Sequence, residues 1–600
     1  MGRVTKETYS SGLPGDEGIS VESTYDRDGN RIRLTSSLGA DILQKYDYRG
    51  NVSEIEALNA EYHESWKAEI KRNELGLEIE KSLTGNVAIS RRYDEFGRPI
   101  TMSVNQGRSS RQKEMYNRRY IWNATDQLMS VLNGITGGYV HYAYDAIGNL
   151  ASAQYSDGSY EYKMPDAMGN VYRNKDHSDR EYGAGGRLLR DKQYNYFYDG
   201  EGNLTLKTKR RTPGIASLDY IPPRRWGRDE DTTYVPPKQY TDDEKKALLA
   251  QWEEERKYPQ WGLGSYAYSW YGNGMLKSVK LPDSNVVAFE YDALGRRTAK
   301  VFKDEINRYL WDGNVLLHEW KYDKAERPRA ITDEHGVSVM KNPEPTPDVV
   351  IWVYEEGTFV PSAKLVNNDR FSIVSDHLGR PVQAYSDTGE LVWQTDYNIY
   401  GGLRNLKGER GFLPFRMQGM YADSELDGLY YNRFRWYDSN TGNYLSQDPI
   451  GLAGNNPTLY GYVQNSNVMT DILGLKGAVT AILEIGGKQY KGISQTLFKD
   501  LEDSAFKDLV QDSLDEVKNE FDKMGKKVPE FMGNCAELNA IKQALDDNLS
   551  LSDLKGGKFI DIYETKTGKY KSPCECCQKI LDKLGITDVH GEKIKGILCK

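Results

Sequence analysis

One phrase recurs along most of this 600-residue chain: Tyr-Asp-x-x-Gly-Asn/Arg, followed each time by a short β-prone stretch. It reads Tyr25-Asp26-Arg27-Asp28-Gly29-Asn30, then Tyr46-Asp47-Tyr48-Arg49-Gly50-Asn51 and Tyr93-Asp94-Glu95-Phe96-Gly97-Arg98. It returns at Tyr144-Asp145, Tyr198-Asp199 and Tyr291-Asp292, with looser copies starting at Pro165, Tyr182, Tyr271, Trp311 and Ser375. Asp caps a turn, Gly supplies its positive φ, and the flanking aromatic and β-branched residues extend into strands. Each copy is therefore a β-hairpin that cannot bury its own apolar face. Stacking in series buries those faces and leaves few free edges. The expected fold of residues 1–428 is a β array, interrupted at about 208–262. There Pro213, Pro222-Pro223 and Pro236-Pro237 precede a capping-box start, Thr241-Asp242-Asp243-Glu244, and one helix.

Composition divides the chain near residue 475. Of 43 tyrosines only Tyr490, Tyr563 and Tyr570 lie beyond Leu475, and no tryptophan does. Residues 476–600 contain no arginine, 20 lysines and 21 acidic residues, so this stretch is close to neutral. All five cysteines fall within it, which excludes a disulfide-stapled scaffold for the rest. The net charge of −9 argues against a nucleic-acid-coating surface over the whole molecule. No apolar run approaches the ~18–20 residues of a membrane helix. The N-terminal MGRVTKETYSSGLPGDEG lacks an apolar signal core, so export would need a route independent of a signal peptide.

Between the two regions stand Leu429-Tyr430-Tyr431-Asn432-Arg433-Phe434, then Asp448-Pro449-Ile450-Gly451-Leu452 and Asp471-Ile472-Leu473-Gly474-Leu475. With these residues the chain resembles the Rhs/YD-repeat polymorphic toxins, whose core ends in two spaced D-P-x-G-L motifs. The resemblance covers residues 1–475. It implies a β-rich YD-repeat shell enclosing a variable toxin, with residues 429–475 as a self-cleavage region. It further implies that Asp448 and Asp471 cooperate in cutting between Leu475 and Lys476. Two carboxylates forced together cannot both ionise, so one keeps a proton and acts as acid while the other activates water. A second reading makes both aspartates turn residues, as Asp is elsewhere in the array. The chain departs from the motif at Ile472, where proline is usual.

The last 125 residues read as strand, strand, helix, helix, strand, helix. Cys535-Ala536-Glu537 and, further on, Pro573-Cys574-Glu575-Cys576-Cys577 form a C-x-E…P-C-x-x-C arrangement. Asn534 and Ser572 are good N-caps, placing Cys535 and Glu537 in the first turn of one helix and Cys574 and Cys577 in that of another. Helix N-termini favour thiolate over thiol. Three thiolates leave one zinc position for water, the pattern of a catalytic site. Glu537, no ligand, would shuttle the proton. The spacing matches the zinc deaminase signature with Cys in the first ligand position. The segment resembles the toxin branches of the cytidine deaminase superfamily, a small α/β zinc-dependent domain. A structural four-cysteine site adding Cys599 is the alternative ligand reading.

Together these imply an interbacterial toxin whose cargo deaminates cytosine in nucleic acid. Phosphate contacts would rest on Lys526, Lys527, Lys566, Lys569 and Lys571, and the toxin would act in the target-cell cytoplasm. A cognate immunity protein and a contact-dependent apparatus such as type VI secretion are the implied partners. Two other classes stay open: a surface or adhesive repeat protein with a structural zinc tail, and a toxin of other chemistry such as a nuclease.

Overall fold

The computed structural model describes residues 3–62, 64–107, 113–210, 241–257, 259–451, 458–475, 479–485, 488–493 and 558–564, with isolated positions 512, 541, 581, 583, 584 and 586. The chain divides into two compact units, Met1–Ser446 and Gln447–Lys600.

In the first unit the repeats become two antiparallel meanders. Fourteen strands, from Lys6–Tyr9 to Tyr160–Tyr162, pair in sequence order. Sixteen more, from Glu181–Tyr182 to Leu403–Lys407, form the second sheet. The second sheet passes over one excursion, the separate hairpin of Ala330–Thr332 and Ser338–Met340. It does so by pairing Val315–Asp323 with Val350–Tyr354. It also carries the helix Asp242–Lys257 between paired neighbours, Leu204–Lys209 and Tyr266–Trp270. The helix opens with a reciprocal cap. Thr241 N–H donates to Glu244 Oε2 at 2.9 Å, and Glu244 N–H to Thr241 Oγ1 at 3.2 Å.

The Tyr-Asp phrase has a separable role for each residue. At Asp145 the backbone N–H donates to Asn149 O at 3.0 Å, Gly148 N–H returns to Asp145 O at 3.1 Å, and Asn149 N–H donates to Asp145 Oδ1 at 2.8 Å. The same three bonds close the turns at Asp26 and Asp292. Gly148, at φ +89°, occupies a conformation in which a Cβ is disfavoured. The tyrosine works on the preceding repeat: Tyr144 Oη donates to Leu128 O at 2.7 Å, and Tyr291 Oη to Leu276 O at 2.8 Å. Aspartate thus closes its own hairpin and tyrosine ties that hairpin to the one before. At Trp122 and Trp311 an indole N–H makes the same tie, to Pro99 O and Arg297 O. Three further turns use Asn in place of Asp: Asn73 Oδ1 accepts Leu77 N–H, Asn123 Oδ1 accepts Gln127 N–H, and Asn398 Oδ1 accepts Gly402 N–H. The carboxamide oxygen offers the same acceptor, and for that reason a search for Tyr-Asp alone misses these copies.

The two sheets pack face to face. One apolar cluster takes Ile55, Trp66, Ala68 and Val104 from the first and Ile306, Ile351, Val353 and Ala363 from the second. A second cluster lies on the far face of the second sheet, where Trp352, Ile373 and Trp393 meet Leu413, Leu426, Tyr431 and Trp436 from the segment that follows it. That segment contains a four-stranded sheet, Tyr421–Ala422 through Asn443–Tyr444.

In the second unit, Val479–Ile485 lies between Lys488–Ile493 and Lys558–Glu564, antiparallel to both. These three are the strands of the strand, strand, helix, helix, strand, helix order read from the sequence. Ile541, Leu581, Leu584 and Ile586 are buried.

Candidate functional site

The structure describes the two aspartates singled out at the junction, and both belong to the second unit. Asp448 is 6% exposed and Asp471 2%. Asp448 heads a β-turn with proline at its second position. Its carbonyl accepts Gly451 N–H at 2.8 Å, and its Oδ1 accepts Ile450 N–H at 3.1 Å. Its own N–H donates to Leu459 O at 2.9 Å, tying the turn to the chain that returns beyond it. Asp471-Ile472-Leu473-Gly474-Leu475 shares two features with the array's turns, a glycine at positive φ and an amide bonded to the aspartate carboxylate. Gly474 has φ +69°, and Leu475 N–H donates to Asp471 Oδ1 at 2.9 Å. Ile472 is accommodated there although the related motif has proline.

Here Asp471 acts as a turn residue, the role aspartate has elsewhere in the array. The Asp471 carboxylate is seated on the amide of Leu475, one residue from the peptide expected to be cut. Lys476, on the other side of that peptide, lies outside the described residues. Among the described residues between the aspartates, Thr458, Tyr460, Tyr462, Val463, Ser466 and Asn467 are each at most 6% exposed. Asn465 organises the return, its carbonyl accepting Met469 N–H at 2.9 Å and its Oδ1 accepting Asn467 N–H at 3.1 Å. Tyr462 is a participant the sequence did not single out. Its hydroxyl accepts Asp471 N–H at 3.3 Å and so fixes the backbone that carries the carboxylate. One tyrosine among 43 carries no signal of that role.

The C-terminal candidates, Cys535, Glu537, Cys574 and Cys577, lie outside the described residues, as do Cys576, Cys599 and the five lysines named for phosphate contact. Among the described residues no group of three or more His, Cys, Asp or Glu side chains could hold a metal ion.

Residues 255–467 match the Teneurin YD-shell family model. The β module is similar to YD shells. The chain is 26% identical over 431 residues to "Double-stranded DNA deaminase toxin A" of Burkholderia cenocepacia, spanning 68% of this chain and 26% of that protein. It is 28% identical over 369 residues to "Probable deoxyribonuclease RhsB" of Dickeya dadantii, spanning 56% of this chain and 24% of that one. "Toxin protein Tse5" of Pseudomonas aeruginosa is 35% identical over 196 residues, 30% of this chain and 14% of that protein. The chain thus spans about a quarter of the length of the first two relatives. Among solved structures, the Photorhabdus luminescens Tc holotoxin pore superposes with a TM-score of 0.50 at 17% identity, covering 76% of this chain and 21% of that one. The TcdB2–TccC3 crystal structure gives a TM-score of 0.50 at 18% identity over 77% and 22%. At such identities the likeness is one of fold, a mostly antiparallel β architecture with few helices.

Proposed function

We propose that the chain is part of an interbacterial Rhs toxin. In this reading the YD-repeat module encloses its cargo, Asp448 and Asp471 cut after Leu475, and the freed residues 476–600 deaminate cytosine in nucleic acid. The toxin assignment is supported by two toxin-named relatives, an Rhs-named deoxyribonuclease and the YD-shell match. The observation that carries the cleavage step is the bond from Leu475 N–H to the buried Asp471 carboxylate, on a residue whose backbone N–H donates to Tyr462 Oη. In the full chain, Asp448→Asn or Asp471→Asn is expected to leave a single uncleaved species of intact mass, whereas native protein yields a fragment beginning at Lys476. Native protein that stays intact would rule the step out.

The deaminase assignment rests on C-A-E and P-C-E-C-C as a phrase, and on the deaminase toxin among the relatives. Three cysteine thiolates, Cys535, Cys574 and Cys577, are a donor set suited to zinc. Zinc would supply Lewis acidity to water at neutral pH. Glu537 would move protons between that water, the base's ring nitrogen and departing ammonia. The cognate partners in this reading are an immunity protein and a delivery apparatus, and the site of action is the target-cell cytoplasm.

A nuclease is the second reading, favoured by the deoxyribonuclease-named relatives. Relatives with different printed activities match the same chain, so similarity to them does not by itself specify a reaction. Incubating the protein with single-stranded DNA, duplex DNA and RNA separates the two by product. Uracil read by sequencing selects the deaminase, and strand breaks select the nuclease. Glu537→Ala is expected to lower conversion by about 10²–10⁴-fold, the usual span for a lost general acid–base.

A further inference from the structure

The face of the first sheet that packs on the second is apolar along most of its length, but it carries a lysine. On the strand Glu78–Leu83 the outward pleat includes Glu80, which pairs with Lys71. Lys81 and Leu83 are buried instead. Lys81 is one of several buried polar groups on that pleat, with Gln44 on the strand Ala40–Tyr46 and Arg118 on Lys113–Trp122.

The surrounding charges are matched except for this one. Arg72 pairs with Glu355, Arg91 with Glu78, Arg118 with Asp396, and Arg380 with Asp376. Among the described residues no carboxylate lies within ion-pair distance of Lys81. Its one hydrogen bond is donated to Ser362 Oγ on the opposite sheet, at 3.1 Å. An ammonium has three hydrogens, so two remain for another acceptor. Ser362 is 1% exposed and accepts from Lys81, and no acceptor for its own hydroxyl hydrogen occurs among the described residues. Both groups line a cavity of about 380 Å³ walled by Tyr93, Met102 and Tyr120 together with the ion-paired Glu78, Arg91, Glu355 and Asp376. That volume lies within the ~300–1,000 Å³ range of small-molecule sites. Burial pushes the Lys81 ammonium below the usual lysine range, and Glu355, already committed to Arg72, offsets this only in part.

We infer that this inter-sheet cavity binds a small monocarboxylate, its oxygens taking donors from among the two N–H groups of Lys81 and the one O–H of Ser362 that are left open. One negative charge would neutralise the one lysine or arginine lining this cavity that has no carboxylate within ion-pair distance among the described residues. Two adjacent donors suit the two oxygens of a carboxylate, and the aromatic walls suit a short apolar tail. The site lies in the first unit and is independent of the chemistry proposed for residues 447–600.

The test is saturation-transfer NMR on the full chain with acetate as probe, at constant ionic strength set with chloride. Native protein should transfer saturation to the acetate methyl, with chloride failing to displace it. Lys81→Met, which keeps the stem and removes the charge, should weaken acetate binding by about tenfold or more. Should Lys81→Met fail to fold, Ser362→Ala removes one donor, leaves the cation in place and should weaken binding severalfold. No transfer in native protein, equal binding by native and Ser362→Ala proteins, or displacement by chloride would each overturn the inference.

Discussion

The two sheets of the first unit share one repeat grammar and meet different surroundings. In the first sheet the strand Trp66–Arg72 alternates: Trp66, Ala68 and Ile70 are buried, and Lys67, Glu69 and Lys71 are exposed. In the second, Ile351, Trp352 and Val353 are consecutive and all fully buried. Ile351 and Val353 join the core shared with the first sheet, and Trp352 joins the core on the other face. Strict alternation marks a sheet with one dry face, whereas continuous burial marks a middle layer. The repeat motif sets the turns and leaves the faces free to follow whatever covers them.

The cover on the second sheet's far face is held by buried charge, and the largest expected effect comes from breaking it. Arg297 is fully buried, bonded to Asp423 and surrounded by Tyr309, Tyr421 and Tyr431 with ring centroids at 4.3–4.8 Å. Lys300 pairs with Glu425 at 2.7 Å, Lys207 with Asp438 at 3.3 Å, and Tyr421 Oη donates to Glu319 at 2.6 Å. Burial alone would raise the Asp423 carboxyl; the Arg297 and Lys300 cations outweigh it and hold Asp423 below the usual aspartate range. Removing one member leaves the other buried without compensation. Asp423→Ala should therefore destabilise the first unit by about 3–5 kcal/mol, read from urea midpoints. The double variant Arg297→Met/Asp423→Ala should recover most of that loss, since no buried charge is then orphaned. Equal stability of the single and double variants would show that the aromatic packing, and not the charge pair, fastens the cover.

None of that fastening was legible in the sequence. Asp423 belongs to no motif, and its partner lies 126 residues earlier. Turn chemistry is local, so the repeats announced themselves; the pairing of a buried cation with its carboxylate depends on which surfaces meet, and no short window records that. The candidate site divides in the same way. Asp448 and Asp471 could be picked out because each opens a D-x-x-G-L phrase, but Tyr462, which holds the Asp471 backbone, could not. The insertion's helix was legible from its capping box, whose reciprocal bonds involve residues three apart.

The interface between the sheets offers a second, pH-dependent contrast. His318 on the second sheet is fully buried. Its Nε2 meets Ser36 Oγ of the first sheet at 2.7 Å, and its Nδ1 meets Val350 O at 3.1 Å. Burial pushes its pKa down to about 4, against some support for the cation from the Val350 carbonyl. Between about 4 and 6.5 the unfolded chain binds a proton that the folded one refuses, so stability falls as pH falls through that window. At about 1.4 kcal/mol per pH unit the full effect is about 3 kcal/mol. His318→Gln should flatten the urea midpoint over this range relative to native protein. An unchanged slope would place the acid sensitivity elsewhere, with the carboxylates under the second sheet's cover.

The smallest effect belongs to the solvated face of the first sheet. Lys71 and Glu80 face each other across adjacent strands at 3.1 Å, with side chains 64% and 41% exposed. In water the Coulomb gain is screened and offset by the entropy of holding two long side chains. Lys71→Ala should shift stability by about 0–1 kcal/mol, and added salt should erase most of that difference. The same deletion at Lys300 removes a cation that Asp423 and Glu425 both contact, in a place water does not reach. Salt should leave that larger loss nearly intact, because buried pairs escape screening. Measuring both variants at low and high salt therefore reads out, by one variable, which face of the module is wet and which is dry.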